Sequence, residues 1–300
     1  MIVSVASGKG GTGKTTVAVN LALSLERALF IDCDVEEPNA HIFLKPELQR
    51  KEAAFVLIPE VDPDLCTHCG TCSEVCAFNA IAVLRGGDQG GTVLVFPHLC
   101  HSCGACALLC PQHAIREVEK PIGVIEEGDA GNVRFVHGKL TVGEIMSPPL
   151  IRQVKDWILP LYRESRSKQA SSNNEYQKQV AVIIDAPPGN ACPVIAAIRG
   201  SDFCILVTEP TPFGLYDLKL AVQVMQGLSI PFGVVINRDG VGDHEVDEFC
   251  ARSNIPIMMR IPMRRDIAER YASGLPIVDV DARLREDFRA LYQDVVRLSG

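Results

Sequence analysis

Five short, mostly apolar runs punctuate the chain: Ile2 to Ala6, Ala28 to Asp32, Val180 to Ile184, Phe203 to Val207 and Phe232 to Ile236. Runs of this length, each stopped within a few residues by Gly, Asp, Pro or Asn, predict strands buried on both faces, as in parallel sheets. Between them the apolar period becomes helical. Thr15 to Glu26 fits a helix, as does Pro149 to Tyr162, with Trp157 on its apolar side. A last helix, about Asp281 to Leu298, carries the stripe Leu284, Phe288, Leu291, Val295 and Leu298. Gly123 to Val142 alternates instead and contains Gly128, Gly131 and Gly138, which predicts a pair of strands with turns. Arg163 to Gln179 is polar and rich in Ser and Asn, the texture of a surface loop. Strands alternating with helices predict an α/β fold with a doubly wound, mostly parallel sheet.

One block breaks this texture. From about Pro59 the chain turns to Pro, Asp and Cys, and it turns back near Lys120. The expected organisation is therefore a first part of the α/β domain at 1–58, an inserted small α+β domain at 59–119, and the second part of the α/β domain at 120–300. The insert is an internal repeat. Cys66 to Ile81 aligns with Cys100 to Ile115 at an offset of 34, with four cysteines, Gly70/Gly104, Ala80/Ala114 and Ile81/Ile115 in register. Each half fits a short strand, a cysteine loop and a helical turn. Neither half can bury much apolar surface, so bound metal has to hold the module together.

The chain has 300 residues and a net charge of −8, with no basic stripe, so a nucleic-acid partner is not expected. No apolar stretch reaches the roughly 18 residues that span a bilayer, so no membrane role is expected. The N-terminus runs straight into a strand and does not read as a signal peptide. A cytoplasmic location follows, and there twelve cysteines point to metal rather than to disulfides.

Two motifs carry chemistry. Gly8 to Thr15 reads Gly-Lys-Gly-Gly-Thr-Gly-Lys-Thr, satisfies G-x-x-x-x-G-K-[ST], and lies between a strand and a helix. In that arrangement backbone N–H groups and a helix N-terminus meet a polyphosphate. Gly8, Gly10, Gly11 and Gly13 allow the close approach, with Thr12 and Thr16 in the same binding loop. Lys14 is expected on the β- and γ-phosphates and the Thr15 hydroxyl on Mg²⁺. Asp185 ends an apolar strand before Ala186-Pro187-Pro188-Gly189, like a Walker B aspartate leading into switch II; it would act on Mg²⁺, and Gly189 would sense the γ-phosphate. The second motif is C-x2-C-x2-C-x3-C, at Cys66, Cys69, Cys72 and Cys76 and again at Cys100, Cys103, Cys106 and Cys110, where Pro111 follows. Zinc sites and redox thiols are the alternatives to iron–sulfur clusters, but zinc takes paired cysteines rather than two such quartets. Of the other cysteines, Cys33, Cys204 and Cys250 read as small buried hydrophobes.

Lys9, after the first glycine, makes the loop a deviant Walker A, and here the chain resembles the MinD/ParA/nitrogenase-iron-protein class of dimeric ATPases. The resemblance implies ATP at a homodimer interface, with Lys9 crossing to the partner's phosphates. It also implies Asp34 orienting the attacking water, Asp32 nearer the Mg²⁺, and Asn237 reading the adenine edge. Cys192, seven residues after Asp185, stands where the nitrogenase iron protein ligates its shared cluster; with no second candidate, a bridging cluster is not expected. The cysteine runs resemble bacterial two-cluster ferredoxins. That implies two [4Fe-4S] clusters with crossed ligation, one on Cys66, Cys69, Cys72 and Cys110, the other on Cys76, Cys100, Cys103 and Cys106. Ala77 departs from the pattern, which has proline after the fourth cysteine. Together the resemblances span essentially the whole chain, as a MinD-type ATPase with an inserted ferredoxin domain. Three functions compete: an ATP-gated electron carrier with an unidentified redox partner, a scaffold or carrier in iron–sulfur or metal-cofactor assembly, and a MinD-like positioning switch at a membrane.

Overall fold

The computed structural model describes residues 1–86, 90–169, 180–280 and 282–299. In chain order the strands are β1 (Ile2–Ala6), β2 (Ala28–Asp32), β3 (Glu47–Val61), β4 (Ile81–Gly86), β5 (Gly90–Val95), β6 (Ile115–Ala130), β7 (Val133–Leu140), β8 (Ala181–Asp185), β9 (Phe203–Thr208), β10 (Phe232–Asp239) and β11 (Ile257–Pro262). The helices are α1 (Lys14–Ser24), α2 (Ala40–Leu44), α3 (Thr71–Val75), α4 (Ala105–Leu108), α5 (Ser147–Gln169), α6 (Cys192–Ile198), α7 (Pro212–Leu228), α8 (Glu245–Arg252), α9 (Arg265–Ala272) and α10 (Ala282–Ser299).

Nine strands make one sheet in the order β11-β10-β9-β1-β8-β2-β7-β6-β3. All neighbours from β11 to β7 run parallel. Each central strand feeds two cores, because successive side chains point to opposite faces. On β8, Val182 and Ile184 join Val154, Val194 and Leu215 on one face. Ala181 and Ile183 join Val17, Leu21 and Phe288 on the other. The mostly apolar texture of the five runs is thus explained by burial on both sides. α10 lays Phe288, Leu291 and Val295 into the second core, and Leu284 is buried as well. Arg285 and Arg289 of α10 donate to the carbonyls of Leu23 (2.6 Å) and Ser24 (2.9 Å) at the end of α1. Its stripe is therefore used inside the fold, apart from the exposed Leu298. Among the described residues no helix is long and apolar enough to cross a membrane.

One expectation needs correction. The helix from Ser147 continues through 163–169, where a loop was expected, with Pro160 inside it; residues 170–179 of the expected loop lie outside the described residues. β3 and β6 form one long antiparallel ribbon that runs through positions 59 and 119, paired from Glu47↔Asp129 at the sheet to Val61↔Ile115 at the far end. β6 then turns at Gly131 (φ +59°) into β7, the alternating pair expected at 123–142.

The ribbon is clamped at its base. Glu127 of β6 is buried, and Arg134 Nη2 (2.7 Å) and Trp157 Nε1 (3.0 Å) donate to it. Arg50 of β3 lies 3.5 Å from the same carboxylate and 4.5 Å above the Trp157 ring. Glu127→Ala should strand these donors and, as for other broken buried charge networks, cost about 3–5 kcal/mol. Urea denaturation followed by the fluorescence of Trp157, the one tryptophan, measures this; a loss below about 1 kcal/mol would show that the clamp is dispensable.

Candidate functional site

The parallel strands end on the same side, and there β1, β2, β8 and β10 deliver the phosphate loop, Asp32, Asp185 and Asn237. In open parallel sheets ligands bind at these carboxyl ends. Gly13 precedes α1 at φ +93°, and no side chain caps the helix, so its first N–H groups face outward for an anion. A Cβ on Gly13 would strike the amide of Asn237, whose Nδ2 donates to the Thr12 carbonyl (2.8 Å). A Cβ on Gly8 would strike the backbone of Asp217 in α7. One cleft collects Gly10, Gly11, Gly13, Lys14, Thr15, Thr16, Asp34 and Asn237.

Beneath it lies buried negative charge. Thr15 Oγ1 donates to Asp185 Oδ2 (2.6 Å), while the buried Asp185 Oδ1 has no hydrogen-bond partner. Asp32, level with Asp185 across the β2–β8 pairing, accepts the N–H groups of Asp34 (3.0 Å) and Ala40 (3.2 Å). It thereby orders the loop that carries Asp34. Asp34 lies 3.7 Å from Lys14 Nζ. Burial raises the pKa of Asp32 well above the carboxylate range, with Asp185 adding to it, and burial raises Asp185 too. An orphaned carboxylate oxygen beside a threonine hydroxyl suits a hard divalent cation with oxygen ligands, so the residues fit Mg²⁺.

Lys9 is not in this cleft. Its Nζ lies 3.7 Å from Glu209, whose other oxygen is 2.7 Å from Arg238. The Gly189 N–H donates to the Ser7 carbonyl (3.0 Å), tying the segment after β8 to the phosphate loop. The far wall of the cleft was not foreseen: Pro262, Met263, Arg264, Ile267 and Tyr271 line it. No motif marks them; the only signal is their place just past the carboxyl end of β11. Cys33, Cys204 and Cys250 are buried as expected, and burial pushes Cys204 to about 12 and Cys250 to about 11, leaving both inert thiols. Cys192 is exposed at the start of α6.

At the outer end of the ribbon the eight motif cysteines surround two cavities. Cys66, Cys69, Cys72 and Cys110 line one; Cys76, Cys100, Cys103 and Cys106 line the other. The backbone keeps the repeat. His68/Ser102, Gly70/Gly104 and Asn79/His113 all take positive φ. The N–H of Ala80 reaches Cys76 Sγ at 3.2 Å, and that of Ala114 reaches Cys110 Sγ at 3.3 Å. Among the described residues no three His, Cys, Asp or Glu side chains converge on a single-ion site.

A family model for the CobQ/CobB/MinD/ParA nucleotide-binding domain matches residues 3–277. The chain belongs to this family of P-loop ATPases. An uncharacterized protein of Methanocaldococcus jannaschii is 31% identical over 278 residues, 91% of this chain and 90% of the relative. An iron-sulfur cluster carrier protein of Pyrococcus horikoshii is 22% identical over 306 residues, 92% of this chain and 78% of the relative. The septum site-determining protein MinD of Pyrococcus horikoshii, solved with Mg-ADP, aligns with a TM-score of 0.54 at 20% identity, over 100% of this chain and 97% of that one. That likeness shows the MinD-like fold.

Burial lifts the Asp34 carboxyl to about 6 against the pull of Lys14. The ordinary unfolded value is ~3.9, so ionisation costs the folded state stability: the cost is absent below about pH 4 and complete above about pH 6. The nucleotide-free chain should therefore lose stability as pH rises through that window. Carboxyl-carbon NMR should show Asp34 titrating near 6, and higher in Lys14→Ala. A midpoint near ~3.9 would contradict this environment.

Proposed function

We propose that this chain is a dimerising ATPase whose nucleotide state gates electron transfer, or partner contact, by an inserted two-cluster ferredoxin-like module. One observation carries the reading: each cavity is ringed by three cysteines of one run and one of the other. This is the crossed pattern of two-cluster ferredoxins, in donors that suit iron–sulfur clusters. Cys66, Cys69, Cys72 and Cys110 would hold one [4Fe-4S] cluster, and Cys76, Cys100, Cys103 and Cys106 the other; when bound, the clusters supply one-electron chemistry.

On the nucleotide side, Lys14 and the N–H groups of the glycine loop bind the phosphates of ATP, and Asn237 holds the loop on the side of the base. Thr15 and Asp185, with Asp32 below, would hold Mg²⁺, which neutralises phosphate charge when bound. Asp34 orients the attacking water, and Gly189 senses the γ-phosphate by exchanging its bond to Ser7. Lys9 leaves Glu209 to reach the partner's phosphates, a contact of the arginine-finger class, worth on the order of 10³–10⁵ in rate.

A packed path supports the gating. Asp32 is level with His137 across the β2–β7 pairing. His137 Nε2 pairs with Glu126 of β6 (2.9 Å), and Glu126 with Lys51 of β3 (2.8 Å). The end of β2 is thus linked through β7 to both strands that lead out to the cysteine loops. The name of the Pyrococcus horikoshii relative favours a second reading, transfer of clusters during assembly. Against it, no C-x2-C pair follows residue 110. α10, the candidate membrane tether of a positioning protein, spends its apolar face on the domain's own core.

Binding of a Mg-ATP analogue should shift a cluster potential by roughly 40–130 mV, the equivalent of 1–3 kcal/mol of coupling, or else change partner affinity. Lys14→Ala should abolish the effect with nucleotide binding, whereas Lys9→Ala should still bind ATP but lose hydrolysis and dimerisation. Identical potentials and identical partner capture with and without nucleotide would end the gating reading. Anaerobically prepared protein should hold about eight irons, and Cys110→Ser should perturb the cluster of the Cys66 run. Spectra showing damage confined to the other cluster would refute the crossed arrangement.

A further inference from the structure

The two halves of the repeat match in backbone but not in charge. The offset of 34 that superposes the cysteines sets Val83 against Glu117, and Arg85 against Glu119. Val83 lines the cavity of Cys66, Cys69, Cys72 and Cys110, whereas Glu117 lines that of Cys76, Cys100, Cys103 and Cys106. Glu117 turns its carboxylate to the cysteine loop of its half: its Oε1 lies 3.5 Å from where a Cβ on Gly104 would sit. At the equivalent Gly70 the nearest atom is Arg85 Nη2, at 3.0 Å, and this guanidinium donates to the carbonyl of Cys69 (2.6 Å). Glu74 also approaches Gly70, from further off at 3.8 Å; neither it nor Arg85 lines either cavity, and Arg85 is the one that bonds the cysteine loop.

Resting on the two-cluster reading, we propose that Glu117 and Arg85 set the two sites at different potentials, so that an electron passes from the Cys76/Cys100/Cys103/Cys106 site to the Cys66/Cys69/Cys72/Cys110 site. Cluster potentials respond to net charge, hydrogen bonds to sulfur and exposure. Ala114 N–H to Cys110 and the Thr71 hydroxyl with Cys69 serve the first; Ala80 N–H to Cys76 and Ser102 N–H to Cys100 serve the second. Cys69 has further bonds from the Thr71 N–H and the Thr67 side chain, which lean the same way as the charges. Exposure does not separate the sites, since Cys69 and Cys103 are both exposed and the other six ligands are not. Charge differs in sign. Reduction adds one negative charge, which a carboxylate at the rim opposes and a guanidinium favours.

The polarity has a direction in space. The Glu117 site also touches Leu57 and Pro59, partway along the ribbon, whereas the Arg85 site touches Val61 and Ile115 at its outer end. The favoured step therefore runs away from the ATPase sheet. It moves one electron: the inner cluster is oxidised by one unit, the outer reduced by one, and no bond or proton changes.

Anaerobic potentiometry of the reconstituted full-length protein, read by electron paramagnetic resonance after iron and sulfide counts, tests this. Two one-electron transitions should differ at least tenfold in reduction equilibrium, ~59 mV. Cys103→Ser should alter the lower transition and Cys69→Ser the upper. Glu117→Gln should raise the lower transition toward the upper, and Arg85→Gln should lower the upper. Eight irons with coincident or reversed transitions would overturn the polarity alone, as would a Glu117→Gln variant that leaves the lower transition in place. Protein that takes up no iron–sulfur cluster would overturn the two-cluster reading and this inference with it.

Discussion

The parallel strands from β11 to β7 bury both faces, so helices have to cover the sheet on either side, and a small module poor in apolar residues has no place among them. Only an edge can admit it. The chain leaves the sheet there, beyond β7, on the one stretch where pairing turns antiparallel. Antiparallel strands tolerate a face in water, and the β3–β6 ribbon exploits this, carrying the cysteine loops outward. Covering both faces also leaves the strand ends open, and that is where the phosphate loop, Asp32, Asp185 and Asn237 meet.

At that border, the physics is desolvated charge. Asp185 and Asp32 sit fully buried side by side, with one lysine and one threonine hydroxyl close by. Burial penalises each carboxylate, and only a cation or backbone N–H groups repay the cost. Asp32 takes the N–H groups; Asp185 retains an unpartnered oxygen. Asp185 therefore keeps an acceptor for a cation, while Asp32 is bonded to the loop that carries Asp34.

Much of this was legible in the chain. The buried strands announce themselves because both faces are apolar, and the phosphate loop and cysteine quartets because their chemistry tolerates few other spacings. β3 was not legible. All of Glu47 to Glu52 is exposed on a ribbon, so no period of buried residues marks it, and its pairing comes from β6, which lies more than 50 residues on in sequence. Helix 163–169 was missed because its Ser- and Arg-rich composition lacks the apolar stripe that its first turns possess. Glu209, Glu127 and the cleft wall from Pro262 to Tyr271 escaped for another reason: each acts through partners distant in sequence, and a lone carboxylate or short loop carries no trace of them.

The base of the ribbon links the two halves of the molecule. Glu126 and Glu127 are adjacent on β6, so their side chains point to opposite faces. One engages His137 and Lys51, the other Arg134, Arg50 and Trp157. Held on both faces, the ribbon cannot twist freely against β7, and a shift at the end of β2 has to be met by repacking or by rigid displacement. Packed, fully paired side chains resist gradual repacking. Under the gating proposed above, rigid displacement would be the softer mode, with the ribbon as its lever arm and the cysteine loops at its far end.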